Sequence, residues 1–168
     1  MKYFVTGGAG FIGSNYVRGL LDGRWGANVE RVTVFDAFTY AGNIENLAPV
    51  HGDPRLSVVT GNICNPGEIR AALGGHDVVV HFAAESHVDR SINSSSIFMS
   101  TNVLGTHQML EVAKEVGVST FVHVSTDEVY GSIDAGSWDE QEPLLPNSPY
   151  AASKAGSDLV ARSFFRTY

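Results

Sequence analysis

Tyr150 and Lys154 stand four residues apart in the segment YAASK. On a helix, that spacing puts both side chains on one face. A cation close to a phenol favours the phenolate. A phenolate can take the proton of an alcohol while hydride leaves the same carbon. Upstream, Ser125, Thr126, Asp127 and Glu128 follow the apolar run TFVHV. Thr126 is suited to hold a reacting oxygen. Two adjacent carboxylates that share one proton can divide into an acid and a base. The plain alternatives are a surface Tyr–Lys pair and an acid pair that opens a helix, and spacing alone leaves them open.

The glycines near the start add weight to the chemical reading. Gly7, Gly10 and Gly13 lie in TGGAGFIG, between an apolar run and a helical pattern. Backbone without Cβ admits a pyrophosphate, and the N–H groups at a helix start hold its charge. The spacing G-x-x-G-x-x-G is weak alone but is followed by a second strand pattern ending in Asp36. A carboxylate there can accept hydrogen bonds from both adenosine ribose hydroxyls and would repel a 2′-phosphate, which favours NAD over NADP. The bland reading is a tight glycine turn beside an ordinary solvated acid.

These residues need a scaffold that brings strand ends together. Apolar strand patterns cover 3–6, 31–35, 56–60, 77–82 and 120–125, and helical patterns cover about 10–21, 66–73, 96–116 and 149–168. Short strands that are apolar on both faces and alternate with helices predict an α/β fold: a Rossmann-type doubly wound parallel sheet with helices on both faces. Residues 131–149 read as a surface loop beside a site. The chain has 168 residues, which suits one domain. Eleven basic against eighteen acidic residues give a net charge of −7 with no basic block, which argues against nucleic-acid or anionic-membrane partners. A single cysteine, Cys64, and the lack of a spanning apolar run point to a cytoplasmic protein.

Together, TGGAGFIG, Asp36, STDEVYG and YAASK resemble the extended short-chain dehydrogenase/reductase superfamily. DAFTYAGN, HFAAESHVDRSI, STDEVYG and NSPYAASKAGSD are similar, within it, to the dTDP-glucose 4,6-dehydratases. The Asp127–Glu128 pair sets that branch apart from 4-epimerases, which need no dehydration. The resemblance implies a lyase that converts dTDP-glucose to dTDP-4-keto-6-deoxyglucose and water through transient oxidation at C4 by bound NAD; the alternatives are another sugar-nucleotide dehydratase or a 4-epimerase, and a non-catalytic NAD-binding module. It implies backbone contacts of Phe11 and Ile12 with the pyrophosphate. Asp36, Ala37, Phe38 and Thr39 would line the ribose, and Asn62 and Ile63 would flank the adenine. Phe82, Ala83, Ala84, Glu85 and Ser86 would run under the cofactor, Ser86 would also reach the sugar nucleotide, and Thr101 would touch NAD. Thr126 would bind the hexose, with Asp127 as acid and Glu128 as base. Tyr150 would be the oxidation base, and Lys154 would hold the nicotinamide ribose.

Two departures from the pattern are Asn62, where the family usually has Asp, and Ala37, where it often has Lys. Neither touches the chemistry. Family members are longer, so residues 1–168 are expected to be the NAD-binding N-terminal part of a longer chain, inactive alone. The long helices, near 96–116 and 149–168, often form the dimer contact in this superfamily, so a homodimer is expected. His81, Glu85, His87 and Asp89 show no recurring ligand spacing, and no metal is expected. His123 reads as structural, Cys64 as unreactive, and Phe164, Phe165 and Tyr168 as core or interface.

Overall fold

A computed structural model describes residues 1–25 and 28–168. They cluster into two units, Met1–Ala83 with Gln108–Val124, and Ala84–His107 with Ser125–Tyr168. The first unit holds one sheet of five parallel strands: β1 (Lys2–Thr6), β2 (Arg31–Asp36), β3 (Leu56–Thr60), β4 (Val78–His81) and β5 (Thr120–His123). Their order is β3-β2-β1-β4-β5. The chain therefore reverses its direction of travel between β1 and β4, and in such sheets ligands bind outside the carboxyl ends at that switch point.

Period-two alternation sorts the strand residues onto two cores. Tyr3, Val5, Val32, Val34, Val78 and Val80 pack with Val17, Leu20 and Leu21 of α1 (Phe11–Leu21). Phe4, Phe35 and Val79 face the other way, against Ile69 and Leu73 of α2 (Pro66–Leu73) and Met109, Val112 and Ala113. Register supports this sorting, since Val5 pairs with both Val34 and Val80. α2 starts where Asn65 accepts from the N–H groups of Gly67 and Glu68, with Pro66 at the first helical position. Val58 of β3 and Val122 of β5, in the two outer strands, are exposed, a departure from the expected burial on both faces.

The second unit is helical. It contains α3 (Val88–Asn93), α4 (Ser95–Phe98), a π-helical stretch (Met99–Gly105), the start of α5 (Thr106–Val116), a 3-10 turn (Asp127–Tyr130) and α6 (Pro149–Thr167). The single helix expected near 96–116 is thus wound as π over seven of its residues. α3 was not separable in the sequence. It ends where the backbone leaves the helical region at Ser94, with φ −151° and ψ 74°. Residues 131–148 contain no helix or strand, in keeping with the loop expected there. Among the described residues no helix is long and apolar enough to cross a membrane.

Two buried polar side chains clip the second core. His76 Nδ1 bonds the Leu73 carbonyl at 2.8 Å, so it carries the proton, and Nε2 accepts from Thr33 Oγ1 at 2.8 Å. Burial holds the His76 imidazole below its ordinary value of 6.5. The unfolded chain then binds the proton more readily than the folded one. This contribution is complete above about pH 6.5 and is lost as pH falls below that value toward the folded pKa. Urea unfolding of the intact protein should show stability declining from pH 7 to pH 5, with a shallower decline in His76→Gln.

Candidate functional site

The glycine loop is built by close backbone contact. Gly7 has φ +66°, and a Cβ there would lie 2.7 Å from the Ala83 nitrogen. Its N–H donates to the Phe35 carbonyl at 2.9 Å, and its own carbonyl accepts from Gly10 N–H at 3.1 Å. A Cβ on Gly13 would fall onto that same carbonyl. Gly10 caps α1 with no side-chain bond, and the first turn carries no acid. Phe11 and Ile12 are exposed. First-turn N–H groups lack intrahelical acceptors, so this open end with its positive partial charge is receptive to an anion.

Asp36 lies at the carboxyl end of β2, 8 % exposed. Its Oδ2 accepts from Ala9 N–H and its Oδ1 from Phe38 N–H, each at 2.9 Å. Phe38 itself sits at φ +49°. The Ala9 carbonyl accepts from Asn43 N–H at 3.0 Å and from Asn46 Nδ2 at 2.8 Å. Asp36 therefore anchors the glycine loop. The sequence reading missed Asn43 and Asn46, although an asparagine before a short helical run is a capping signal. Ala37 and Thr39 are exposed.

Thr60, at the end of β3, with Phe35, Val59, Glu68, Ala71 and Ala72 lines a cavity of about 280 Å³. Asn62 and Ile63 follow directly in the chain. Asn62 Oδ1 accepts from Cys64 N–H at 2.8 Å, Cys64 is exposed, and Ile63 is buried. At the ends of β1 and β4, Thr6 Oγ1 meets His81 Nδ1 at 2.6 Å and accepts from Ala83 N–H at 3.2 Å. His123 stacks on His81 with ring centroids 5.6 Å apart. Phe82 is half-buried in the first core.

The second unit gathers the candidate catalytic residues. Ser148 Oγ accepts from Ala151 N–H at 3.0 Å and Pro149 opens α6, which places Tyr150 in the first turn. The Tyr150 ring stands edge-on to buried Phe98, with centroids 6.3 Å apart. Lys154 follows one turn later and is 5 % exposed. Burial pulls its ammonium below the ordinary value, and the Asp158 carboxylate pushes it back up. Thr126 caps the 3-10 turn, its Oγ1 accepting from Glu128 N–H at 3.3 Å. That turn packs on α6. Asp127 and Glu128 are exposed, so solvent screens each carboxylate from the other. Glu128 lines a second cavity, of about 260 Å³, with Val88, Gly131, Ser132, Asn147, Ser148 and Ala151.

Asn102, in the π-helical stretch, was not foreseen. It is 1 % exposed. Its Oδ1 accepts from Glu85 N–H at 2.8 Å, and its Nδ2 donates to the Glu85 carbonyl at 2.9 Å and to Ser153 Oγ at 2.8 Å. Ser153 Oγ donates in turn to the Tyr150 carbonyl at 2.7 Å. One buried amide thus fixes the 84–86 segment against the helix that bears Tyr150 and Lys154. Ser86 and Thr101 are half-buried in this unit. π-Helical segments concentrate at functional sites, but a lone asparagine in a helical pattern gives no such signal. Among the described residues no group of three or more His, Cys, Asp or Glu could hold a metal ion.

The switch-point sheet with its glycine loop, and the Tyr150–Lys154 helix, define a Rossmann-type α/β protein. Residues 4–168 match the GDP-mannose 4,6 dehydratase family, and the chain belongs to it. It is 54% identical over 170 residues to a dTDP-glucose 4,6-dehydratase of Actinoplanes sp., covering 100% of this chain and 53% of that protein. The crystal structure of DesIV, a dTDP-glucose 4,6-dehydratase from Streptomyces venezuelae with NAD bound, superposes with a TM-score of 0.98 at 61% identity, covering 100% of this chain and 52% of DesIV. The UDP-glucose 4-epimerase of Thermus thermophilus, in complex with NAD, superposes with a TM-score of 0.85 at 29% identity, covering 100% of this chain and 52% of that one. The chain thus spans about half the length of these relatives. Replacing Asn102 with Ala leaves the Glu85 backbone groups without their buried partners. It should lower the stability of the intact protein by about 2 kcal/mol in urea unfolding.

Proposed function

We propose that this chain is the NAD-binding part of a dTDP-glucose 4,6-dehydratase. The observation that carries the reading is the second unit's combination of a buried Lys154, Tyr150 one turn before it, and the Thr126–Asp127–Glu128 turn packed on the same helix. Binding alone needs no such set. Higher identity to the dehydratase DesIV than to the 4-epimerase favours the same branch.

The first unit fits the cofactor. The acid-free end of α1 suits a pyrophosphate at Gly7, Gly10, Phe11, Ile12 and Gly13. Asp36 would take the ribose hydroxyls, and the 280 Å³ cavity beside Asn62 and Ile63 would take the adenine. NAD held by these residues would supply a reversible hydride acceptor for C4 oxidation and C6 reduction of the sugar. Tyr150, as phenolate, removes the proton of the C4 hydroxyl, and Lys154 supports its charge. The resulting ketone acidifies C5–H. Glu128 takes that proton while Asp127 protonates the departing C6 hydroxyl, and Glu128 then returns a proton to C5. Thr126 and Ser86 hold the sugar nucleotide, with the hexose in the cavity that Glu128 lines. The whole enzyme is longer than this chain, cytoplasmic, and a homodimer through the exposed Leu104, Leu159 and Phe165.

Incubation of the intact protein with dTDP-glucose should yield a 4-keto-6-deoxy product lighter by one water in mass spectrometry. Inversion at C4 with no water lost would make it an epimerase instead. In single-turnover experiments, Tyr150→Phe should slow the first hydride transfer about 100-fold or more. The double variant Asp127→Asn, Glu128→Gln should spare that transfer and slow water loss by a similar factor. Undiminished water loss in the double variant removes the acid–base assignment.

A further inference from the structure

Asp158 continues the stripe of α6 begun by Tyr150 and Lys154, at positions i, i+4 and i+8. Its Oδ2 accepts a hydrogen bond from Ser125 Oγ at 2.5 Å. Ser125 directly precedes Thr126, the cap of the turn that carries Asp127 and Glu128. One carboxylate therefore touches the segment of the dehydration pair and shares a helix face with the oxidation pair. Among the charges on and around α6, α4 and the π-helical stretch carry none from Ser95 to Gly105, α3 brings Asp89 and Arg90, and the 3-10 turn brings Asp127, Glu128 and Tyr130. The segment tied to Ser153 through Asn102 brings Glu85, His107 packs its ring on Phe164, and α6 itself carries Arg162 and Arg166.

We propose that Asp158 is a positioning residue for both half-reactions: it tethers the Thr126–Glu128 turn to α6 through Ser125, and it supplies the counter-charge to the buried Lys154 ammonium. The idea rests on the roles given above to the Tyr–Lys and Asp–Glu pairs. Physically, a buried ammonium stays charged only if an opposite charge offsets its lost hydration. The electrostatic influence of Asp158 on Lys154 runs in that direction. A hydrogen bond to a carboxylate is also among the stronger kinds, which suits a tether between a helix and a turn.

The test uses the intact protein and three variants. Asp158→Asn keeps the shape and an acceptor for Ser125 but removes the charge. Asp158→Glu keeps the charge, and Ser125→Ala removes the tether alone. Lys154 is followed without substrate by ¹³C NMR of labelled lysine, assigned with Lys154→Arg, and single-turnover kinetics separates hydride transfer from water loss. In Asp158→Asn, the Lys154 midpoint should fall by about one pH unit, taking the alkaline limb of hydride transfer with it. Asp158→Glu should restore both. Ser125→Ala should leave the midpoint in place and slow water loss about 5-fold. An unmoved midpoint in a folded Asp158→Asn protein overturns the counter-charge, and unchanged water loss in Ser125→Ala overturns the tether. If the parent protein makes no 4-keto product, the proposed activity fails, while the NMR midpoints still decide the Lys154–Asp158 coupling.

Discussion

Where β1 and β4 end, the backbone of Gly7 lies directly on that of Phe82 and Ala83, with no room for a side chain between them. The rest of the first unit depends on this contact. It lets β1 turn sharply into α1 and leaves the Gly7 carbonyl free to accept from Gly10. It is available only because the sheet is parallel and reverses order between β1 and β4, so that both strands finish at the same edge. Thr6 and His81 stabilise the junction, since the threonine oxygen accepts from Ala83 N–H and meets the imidazole next to it. Asp36, Asn43 and Asn46 then converge on Ala9, so both polar groups of that residue are satisfied by neighbours distant in sequence.

In the second unit the governing difficulty is a buried ammonium. Lys154 is nearly out of solvent, where a charge is costly. The surroundings answer with polar groups on the same helix and with a rigid framework. Asn102 pins the Glu85 backbone and Ser153, and Ser153 pins the Tyr150 carbonyl. The π-helical winding of Met99–Gly105 sets the place from which Asn102 reaches both partners. Asp127 and Glu128, by contrast, stay exposed. Solvent around both carboxylates weakens any sharing of one proton between them.

The five strands, the parallel sheet and α1, α2 and α6 were legible from the residues, because burial on both faces writes itself into short apolar runs and because glycine and proline punctuate their ends. The break of the expected 96–116 helix into α4, a π stretch and α5 was not legible. A change from four- to five-residue hydrogen bonding leaves the apolar spacing almost intact. The edge exposure of β3 and β5 was also hidden, since strand order is a property of pairing and not of composition.

For the candidate site, the sequence by itself determined residue types whose chemistry depends on local spacing: the glycines of the loop, Asp36 at a strand end, Tyr150 and Lys154 on one helix face, and the adjacent acids after β5. Only the tertiary structure decided what those groups bond to. Asp36 spends its oxygens on Ala9 and Phe38, Asn62 turns to Cys64, Asn102 binds across seventeen and fifty-one positions, and Ser125 finds Asp158 thirty-three residues away. The bonds of Asp36 to Phe38 and of Asn62 to Cys64 are local turns, but those to Ala9, Glu85, Ser153 and Asp158 are long-range, and no local pattern encodes them. They exist because hydrophobic burial first packs the elements, and buried polar groups must then be satisfied by whatever that packing brings within reach.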